Sequence, residues 1–490
     1  MYYKNSMDVS LNINSKVSYP KTTPFHPDRI YPELKYLGVI DIDKENKVFS
    51  SVRTLLEDLK LDKDNIGTSQ WNPFSDFIKP GNNVVIKPNL VSHHNNRKKD
   101  ISAVVTHGSV IRPIIDYALL ALKDSGTLVV GDAPHGDADF DAIVKFNGLY
   151  DLIKWYKKRG INIELRDFRK YVYPKGFDVS ICQELKGDPK GYTLVDLKEK
   201  SKLNTLSNIE RLYGSDYNRD FIVRQHLNGN HKYLISGTIL NSDVIISVPK
   251  LKTHKKTGIT INLKNLVGIN GDKNYLAHYR IGSPSFGGDE YPDTHNIILK
   301  LLRAYNIFSR DKLLAPNKLS LRYVNRIIRI PFLILNKLYR MFSNNRVISG
   351  GNWFGNDTTW RMCLDLNYIL RFSDNKGVLH DAPQRKYFCV VDGIVGGEGN
   401  GPMEPDPVKA GILLSGYDPY KTDYVSTFIM GLKPSKIKLI NESINDKFVG
   451  FTPKDLRVSA RRNGSIIDYK KLNFKFKPHE EWIGEIERTI

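Results

Sequence analysis

Cysteine is scarce in this chain. Only Cys182, Cys363 and Cys389 occur among 490 residues, and no two of them have the Cys-x-x-Cys spacing of structural zinc sites or cysteine-bound clusters. The sequence therefore predicts neither a disulfide scaffold nor an iron–sulfur cluster. A low and odd number of cysteines is typical of a reducing compartment.

Long apolar runs are also missing. No stretch approaches the roughly 20 apolar residues that a transmembrane helix needs, and residues 1–5 open no apolar segment of the secretory type. With 40% hydrophobic and 26% charged residues, the composition is that of an ordinary globular protein with ample chain for a core. We expect a cytoplasmic protein.

Acidic residues are too few to balance the basic ones. The chain has 73 Lys and Arg against 53 Asp and Glu, which gives a net charge of +20. Such a balance favours anionic partners, namely nucleic acid, an anionic membrane surface, or phosphorylated and carboxylated small molecules. Because no zinc finger or RNA-recognition signature occurs, nucleic acid is the least favoured of the three.

Strand-like and helix-like segments alternate along most of the chain. Strands are predicted at residues 37–40, 84–86, 127–130, 244–248, 387–391 and 412–414, and helices at 48–61, 109–123, 140–156 and 419–430. This order predicts an α/β fold with a mostly parallel sheet flanked by helices.

The predicted domain organisation has three parts. An irregular lead-in covers residues 1–34, and an α/β domain covers 35–435, with a mixed insertion near 160–240 and a basic helical insertion near 305–346. A C-terminal extension covers 436–490.

The segment at 310–346 is basic and periodically apolar. Asp311 is its only acid, and apolar residues recur at helical spacing at 321, 324, 328, 332, 335, 338 and 342. One interpretation is a helix in the interface of an anionic bilayer, which would make the protein membrane-peripheral. The other is a pair of core-packed helices with a solvated basic face. Pro331 is expected to kink or divide the helix.

Polar residues cluster after a predicted strand, at 249–268. Strand alternation places Lys250, Lys252 and His254 on one face, and Thr260, Asn262 and Lys264 repeat that spacing. Such residues are poor core material because unpaired buried charges are unfavourable, whereas they suit an anion. A solvated basic loop is the alternative.

Three further strand ends carry polar clusters, and ligands of open α/β sheets gather beyond such ends. Lys87 and Asn89 follow the strand at 84–86. Four aspartates, beginning with Asp132, follow the strand at 127–130 and suit a hard cation, although a solvated acidic turn explains them equally. The loop at 392–404 combines five glycines with carboxylates and matches neither a P-loop nor a Rossmann fingerprint.

These clusters define one predicted site. The predicted anion-binding residues are Lys87, Asn89, Lys250, Asn262, Lys264, Asn265, Gly399, Asn400 and Gly401. The predicted ligands of a divalent metal, magnesium or manganese, are Asp132, Asp392 and Glu398, and the predicted catalytic residues are His254, Lys252 and Asp392. We expect His254, Lys252, Asp132 and Glu398 to line one pocket.

Taken in order, the blocks at 85–89, 131–132, 249–254, 260–268 and 392–402, followed by Asp418 and Asp423, resemble domain-of-unknown-function family 362 over about residues 35–435. The resemblance implies an α/β fold but no settled activity. Many members carry an appended ferredoxin-like module with four cysteines. Its motif is missing from this sequence, so the resemblance implies no electron-transfer role here.

Three classes of function remain open from the sequence. The first is an enzyme that acts on an anionic, phosphorylated or carboxylated metabolite with a divalent metal, in one version on lipid-linked or cell-surface glycan intermediates. The second is a redox or metallocofactor protein. The third is a non-catalytic module that binds an anion or a polysaccharide.

Overall fold

Strands and helices alternate through the described part of the chain, which the computed structural model gives as residues 7–173, 182–214, 219–314, 318–342, 347–447 and 449–489. The strands are β1 Val9–Ile13, β2 Asn83–Pro88, β3 Thr127–Asp132, β4 Glu164–Asp167, β5 Tyr171–Val172, β6 Gln183–Glu184, β7 Tyr192–Asp196, β8 Leu212–Tyr213, β9 Lys232–Ser236, β10 Val244–Val248, β11 Lys250–His254, β12 Gly258–Thr260, β13 Tyr279–Arg280, β14 Lys386–Asn400, β15 Glu404–Gly416, β16 Val458–Arg462 and β17 Ser465–Ile466. The helices are α1 Lys47–Asp58, α2 Gly108–Leu122, α3 Phe140–Phe146, α4 Leu149–Lys157, α5 Arg219–His226, α6 Gly237–Leu240, α7 Asn262–Asn265, α8 Ile297–Phe308, α9 Leu319–Phe342, α10 Thr359–Phe372, α11 Pro419–Ile429 and α12 Lys438–Ile444.

Within these residues, eleven strands form one sheet. Its order is β17-β16-β1-β15-β14-β10-β2-β3-β4, and β11 and β12 attach beside β14. The run from β14 through β10, β2 and β3 to β4 is entirely parallel. The mostly parallel α/β fold predicted from the sequence is thus confirmed. The three two-stranded sheets β5–β6, β7–β9 and β8–β13 stand apart from it.

Both faces of the parallel strands are buried, as continuous apolar runs predict. On β2, Val84 and Ile86 join a core cluster with α1, α2 and α4, while Val85 between them joins a second cluster with α10 and α11. The period of two along a strand sends neighbouring residues to opposite faces. The carboxyl ends of β2, β3 and β10 therefore lie between two helical layers.

Segments near both ends of the chain contribute strands to this sheet. β1, from the predicted irregular lead-in, pairs antiparallel with β15 and parallel with β16, which comes from the predicted C-terminal extension. Val9, Leu11 and Ile13 are buried, but five residues of alternation are too few to distinguish a strand from a loop by sequence. The α/β domain therefore includes both segments.

Two elements predicted from the sequence differ from those in the structure. The strand expected at 37–40 is absent from the structure, where a 3-10 helix over Pro32–Leu37 ends at Gly38. The helix expected at 140–156 is broken into α3 and α4, since Gly148 has a positive φ of 78° and a Cβ there would lie 2.4 Å from the Cζ of Phe25.

The basic insertion forms α8 and α9. Of the two effects expected of Pro331, a kink or a division, the division does not occur, because α9 runs for 24 residues through the proline. Residues 315–317 and 343–346 of the predicted segment lie outside the described residues. A search of the helices in the described ranges finds none with the length and apolar character needed to cross a bilayer.

The first prediction concerns Gly148. We expect Gly148→Ala to lower the free energy of unfolding by roughly 2–5 kcal/mol, because it combines left-handed strain with a clash against Phe25. Gly160→Ala is the matched control, since Gly160 has a similar φ of 75° and open space around it. The control should lose only roughly 1–2 kcal/mol in chemical denaturation. Equal losses would contradict the close approach at Gly148.

Candidate functional site

A cavity of about 390 Å³ lies beyond the carboxyl ends of β2 and β3 and beside β11. Its volume falls in the range of about 300–1,000 Å³ that is usual for small-molecule sites. Its lining includes Asn89, Asp132, Lys252, His254, Thr260, Lys264, Asn265, Lys273 and His278, with His94, His135, Asp137, Lys255, Lys256, Pro402 and Met403 among the others. Of the four residues expected to share a pocket, His254, Lys252 and Asp132 line this one.

Buried lysines are the main feature of this region, and two of them are paired with carboxylates. The Nζ of Lys87 donates to the Oδ1 of Asp132 over 2.6 Å and to the Oδ1 of Asn265 over 3.0 Å. Asp132 also accepts from the backbone of Leu90. Gly268 is required beside this pair, because a Cβ there would lie only 1.8 Å from the Oδ1 of Asp132.

The second pair is Lys250 with Asp392. The Nζ of Lys250 lies 3.0 Å from the Oδ2 of Asp392 and donates over 2.6 Å to the hydroxyl of Tyr19, which in turn donates to Asp392. Asp392 further accepts from the backbone of His107, the residue that caps α2. All of its oxygens are thus used within the protein, away from the cavity, and the structure gives Asp392 a bracing position instead of the predicted place among the catalytic and metal-binding residues.

Two other buried lysines have no carboxylate partner among the residues that the structure describes. Lys252 donates only to the carbonyls of Val104 and Pro402, over 2.7 and 3.3 Å. Burial, together with the charges of Lys250 and Lys264, holds the pKa of Lys252 well below its ordinary value of 10.5. Burial likewise lowers the pKa of Lys264. Both side chains line the cavity.

Lys273 is another buried lysine of the cavity, and sequence reasoning missed it. Its Nζ donates to the carbonyls of Ala133 and Val267, and burial lowers its pKa to about 7. Lys273 lies in a stretch without any motif, so no sequence signal pointed to it. His278, which was also missed, lies in the same stretch.

The turn α7 positions Lys264 and Asn265. Asp423 of α11 accepts from the backbone amides of Asn262 and Leu263 and from the side-chain amide of Asn262. These bonds satisfy the first amides of the turn, as a capping carboxylate does. Burial raises the pKa of Asp423 to about 7. Asn262, predicted to bind an anion, therefore serves this cap and does not line the cavity.

Two of the histidines that line the cavity, His254 and His278, offer opposite hydrogen-bonding groups. The Nδ1 of His254 accepts from the backbone N–H of Lys256 over 3.0 Å, so the neutral ring carries its proton on Nε2. The Nδ1 of His278 donates to the carbonyl of Leu276 over 2.8 Å, so its Nε2 is an acceptor. Burial keeps the pKa of both rings well below 6.5. At neutral pH His254 thus offers the cavity an imidazole donor and His278 an imidazole acceptor.

The glycine-rich hairpin of β14 and β15 braces β11. The carbonyl of Gly399 accepts from the hydroxyl of Thr253 and the carbonyl of Gly401 accepts from the backbone of Lys255, while Asn400 pairs across the hairpin with Glu404. Only the following residues, Pro402 and Met403, reach the cavity. The predicted anion nest at 399–401 is therefore used for strand pairing.

The three predicted metal ligands do not come together. Asp132 is held by Lys87, Asp392 by Lys250, and Glu398 accepts from the backbone of Lys477 over 2.9 Å. Glu398 accordingly lies outside the cavity, contrary to expectation. Across the described ranges, no three His, Cys, Asp or Glu side chains are grouped as a metal site would require.

Comparison with known proteins supports the predicted resemblance. Residues 201–427 match the family model described as "Domain of unknown function (DUF362)", and the motifs at 249–254, 260–268 and 392–402 lie within this range. No curated protein matches the sequence. A crystal structure of a Thermotoga maritima protein aligns at 11% identity and a TM-score of 0.26 over 73% of this chain and 53% of that one. The chain therefore spans about half the length of that protein.

The contrast between paired and unpaired lysines gives the second prediction. Lys250→Met should destabilise the protein by roughly 3–5 kcal/mol, because it leaves Asp392 buried without its partner. Lys264→Met should instead stabilise it by roughly 0.5–2 kcal/mol, because it removes a buried amine that has no counter-charge. Chemical denaturation near neutral pH measures both. Equal destabilisation by the two substitutions would contradict the unpaired state of Lys264.

The change of protein stability with pH that Lys264 causes has a definite sign. The native pKa of Lys264 lies below 10.5, its value in the unfolded chain, so unfolding takes up a proton between those two values. In that window the stability of the wild type rises with pH. The advantage of Lys264→Met over the wild type should therefore be largest below the native pKa and shrink as the pH approaches 10.5. A constant difference would mean that the pKa of Lys264 is not lowered.

Proposed function

We propose that this protein is an enzyme that binds a small phosphorylated or carboxylated metabolite in the cavity described above. The observation that carries the proposal is the presence of Lys252 and Lys264, buried lysines that line one cavity and have no carboxylate partner among the described residues. Nearby, Lys87 and Lys250 are each paired with an aspartate. The protein therefore has the means to neutralise buried lysines, and it leaves Lys252 and Lys264, like Lys273, without such a partner in the described part of the chain.

An anionic ligand would supply the missing counter-charge. An ammonium group removed from water without a partner is strongly disfavoured, which is why burial lowers the pKa of both side chains. A phosphate or carboxylate beside them would make the charged form favourable again. In the low dielectric of a buried site, that attraction is much stronger than at a surface.

Neutral groups add hydrogen bonds for the same ligand. The Nε2–H of His254 donates, and the hydroxyl of Thr260 is buried at the cavity wall without a hydrogen-bond partner. Asn89 and Asn265 also line the cavity. Donors from several elements converging on one space are typical of a specific small-molecule site.

Proton-accepting groups favour an enzyme over a non-catalytic binding module. The Nε2 of His278 carries a lone pair at the cavity, and burial holds the pKa of Lys252 well below 10.5. Titratable groups with displaced pKa values gather at catalytic sites. In the proposed assignment His278 accepts a proton from the bound metabolite and His254 donates a hydrogen bond to it. Lys264 and Lys273 hold its negative charge.

The proposal assigns no step to a metal ion. The magnesium or manganese predicted from the acidic residues stays a prediction, because its three expected ligands are engaged at separate places. We also keep the cytoplasmic location as a proposal, which the absence of a disulfide among the three cysteines supports.

The third prediction tests ligand binding. A panel of phosphorylated and carboxylated metabolites is screened by thermal shift, and the best ligand is titrated calorimetrically at about pH 8.5 in two buffers of different ionisation enthalpy. Because the anion raises the pKa of Lys252 and Lys264, binding should take up protons at this pH. Lys264→Met should weaken binding by about tenfold or more, since it removes a charged contact.

Two further variants complete this experiment. Lys454→Met removes an exposed lysine and should leave affinity unchanged. His278→Asn should retain binding of the same ligand and lose its turnover, followed by NMR of the reaction mixture. A ligand whose binding neither takes up protons nor depends on Lys252 or Lys264 would overturn the assignment of the cavity.

A further inference from the structure

Helix α9 has two apolar faces, and one of them packs onto the protein. On this inner face the ring of Phe332 stacks on Tyr305 of α8, with centroids 3.9 Å apart, and Asn325 accepts from the hydroxyls of Tyr305 and Ser309. Tyr339 is buried on the same face. Phe332, one of the seven periodic apolar residues read from the sequence, belongs to this inner face, so those seven residues do not together form the membrane-facing stripe that one interpretation required.

A second apolar stripe of α9 faces solvent. It consists of Tyr323, Ile327, Ile330, Ile334, Leu338 and Met341, which follow one another at intervals of three or four residues and are between 45% and 69% exposed. That spacing places all six on one side of the helix. At a rise of 1.5 Å per residue the stripe is about 27 Å long.

Helix α8 carries a similar exposed stripe. Ile297, Leu301, Ala304 and Phe308 recur at the same intervals and are all exposed. Isolated exposed apolar residues are ordinary. Ten of them on two packed helices form a larger exposed apolar surface, and such a surface marks an interaction site.

The charge of this region is almost entirely of one sign. Residues 297–342 contain ten Lys and Arg and a single acid, Asp311, which is itself paired with Arg219. Arg326 and Lys337 are exposed and lie four residues before Ile330 and Met341, so they neighbour the stripe on the helix surface. An exposed apolar stripe is therefore bordered by positive charge.

We propose that α8 and α9 dock this protein on the surface of an anionic lipid bilayer. The exposed stripes would lie in the headgroup and acyl boundary, and the arginines and lysines would contact anionic headgroups. The one-sided charge favours lipid over a second copy of this chain, because a symmetric contact would bring the same basic segments together.

The helices are tied to the wall of the cavity. Arg310, which follows α8, donates over 2.6 Å to the hydroxyl of Tyr279 and over 2.8 Å to Glu290. Tyr279 adjoins the cavity residue His278. Docking would therefore hold the cavity close to the bilayer, although the docking proposal does not depend on what the cavity binds.

The test is co-sedimentation of the full chain with vesicles. We expect binding to phosphatidylcholine vesicles that contain about 30% phosphatidylglycerol, and much weaker binding to phosphatidylcholine alone or in about 0.5 M salt. The double variant Ile327→Asp, Ile334→Asp should reduce partitioning by about tenfold or more, because it places two acids in the stripe. Both positions are more than half exposed, so the fold should be retained.

Matched variants make the outcome decisive. Ile466→Asp with Ile483→Asp alters two residues that are 77% and 62% exposed elsewhere on the surface, and it should leave vesicle binding unchanged. Lys264→Met, in the cavity, should also leave it unchanged, which separates this proposal from the function of the cavity. No sedimentation with anionic vesicles at low salt, or equal loss in both double variants, would overturn the proposal. So would light scattering that shows a dimer which Ile327→Asp, Ile334→Asp converts to a monomer.

Discussion

The burial of positive charge beyond the ends of a parallel sheet is the constraint on which this structure depends. Four lysines, Lys87, Lys250, Lys252 and Lys264, are taken out of water within a few strands of one another. Each must find a counter-charge, give up its proton, or satisfy its donors on carbonyls. Lys87 and Lys250 find a counter-charge, whereas Lys252 and Lys264, at the cavity, depend on the other two solutions. The paired lysines therefore brace the fold, and the lysines without a counter-charge are the proposed binding residues.

The paired lysines explain how distant parts of the chain are held together. Asp392 joins β14 to Lys250 of β11, to Tyr19 of the N-terminal segment and to the start of α2. Asp132 joins β3 to Lys87 of β2 and to the turn α7 through Asn265. These networks fix the backbone around the cavity, and the unpaired side chains then project from rigid strands and from a capped turn. A site held in this way keeps its geometry without a bound ligand.

The basic insertion, helices α8 and α9, is the second positively charged feature of this protein. Its inner face is satisfied by aromatic stacking and by Asn325, while its outer face leaves exposed apolar side chains beside arginines and lysines. Arg310 connects these helices to Tyr279 and hence to the cavity wall. The cavity and the exposed apolar surface of α8 and α9 both carry an excess of positive charge. Both suit anionic partners, as the net charge of the chain suggested.

The sequence by itself determined the fold class and the strand ends that carry polar residues. Apolar runs such as that of β10 record burial on both faces, and strand–helix alternation leaves few topologies open. The sequence also predicted His254, Lys252 and Lys264 as site residues, because charged residues that follow a buried strand are unusual. It did not identify β1, whose five residues are stabilised by pairing with β15 and β16.

Only the tertiary structure decided which polar residues face a common space. Asp392 and Glu398 look alike in sequence, yet one is enclosed by Lys250 and Tyr19 and the other lies on the outer hairpin. Lys273 and His278 enter the cavity from a loop without any local pattern. The physical reason is that the role of a charged side chain depends on the partner it meets across the fold, and the residues near it in sequence do not specify that partner.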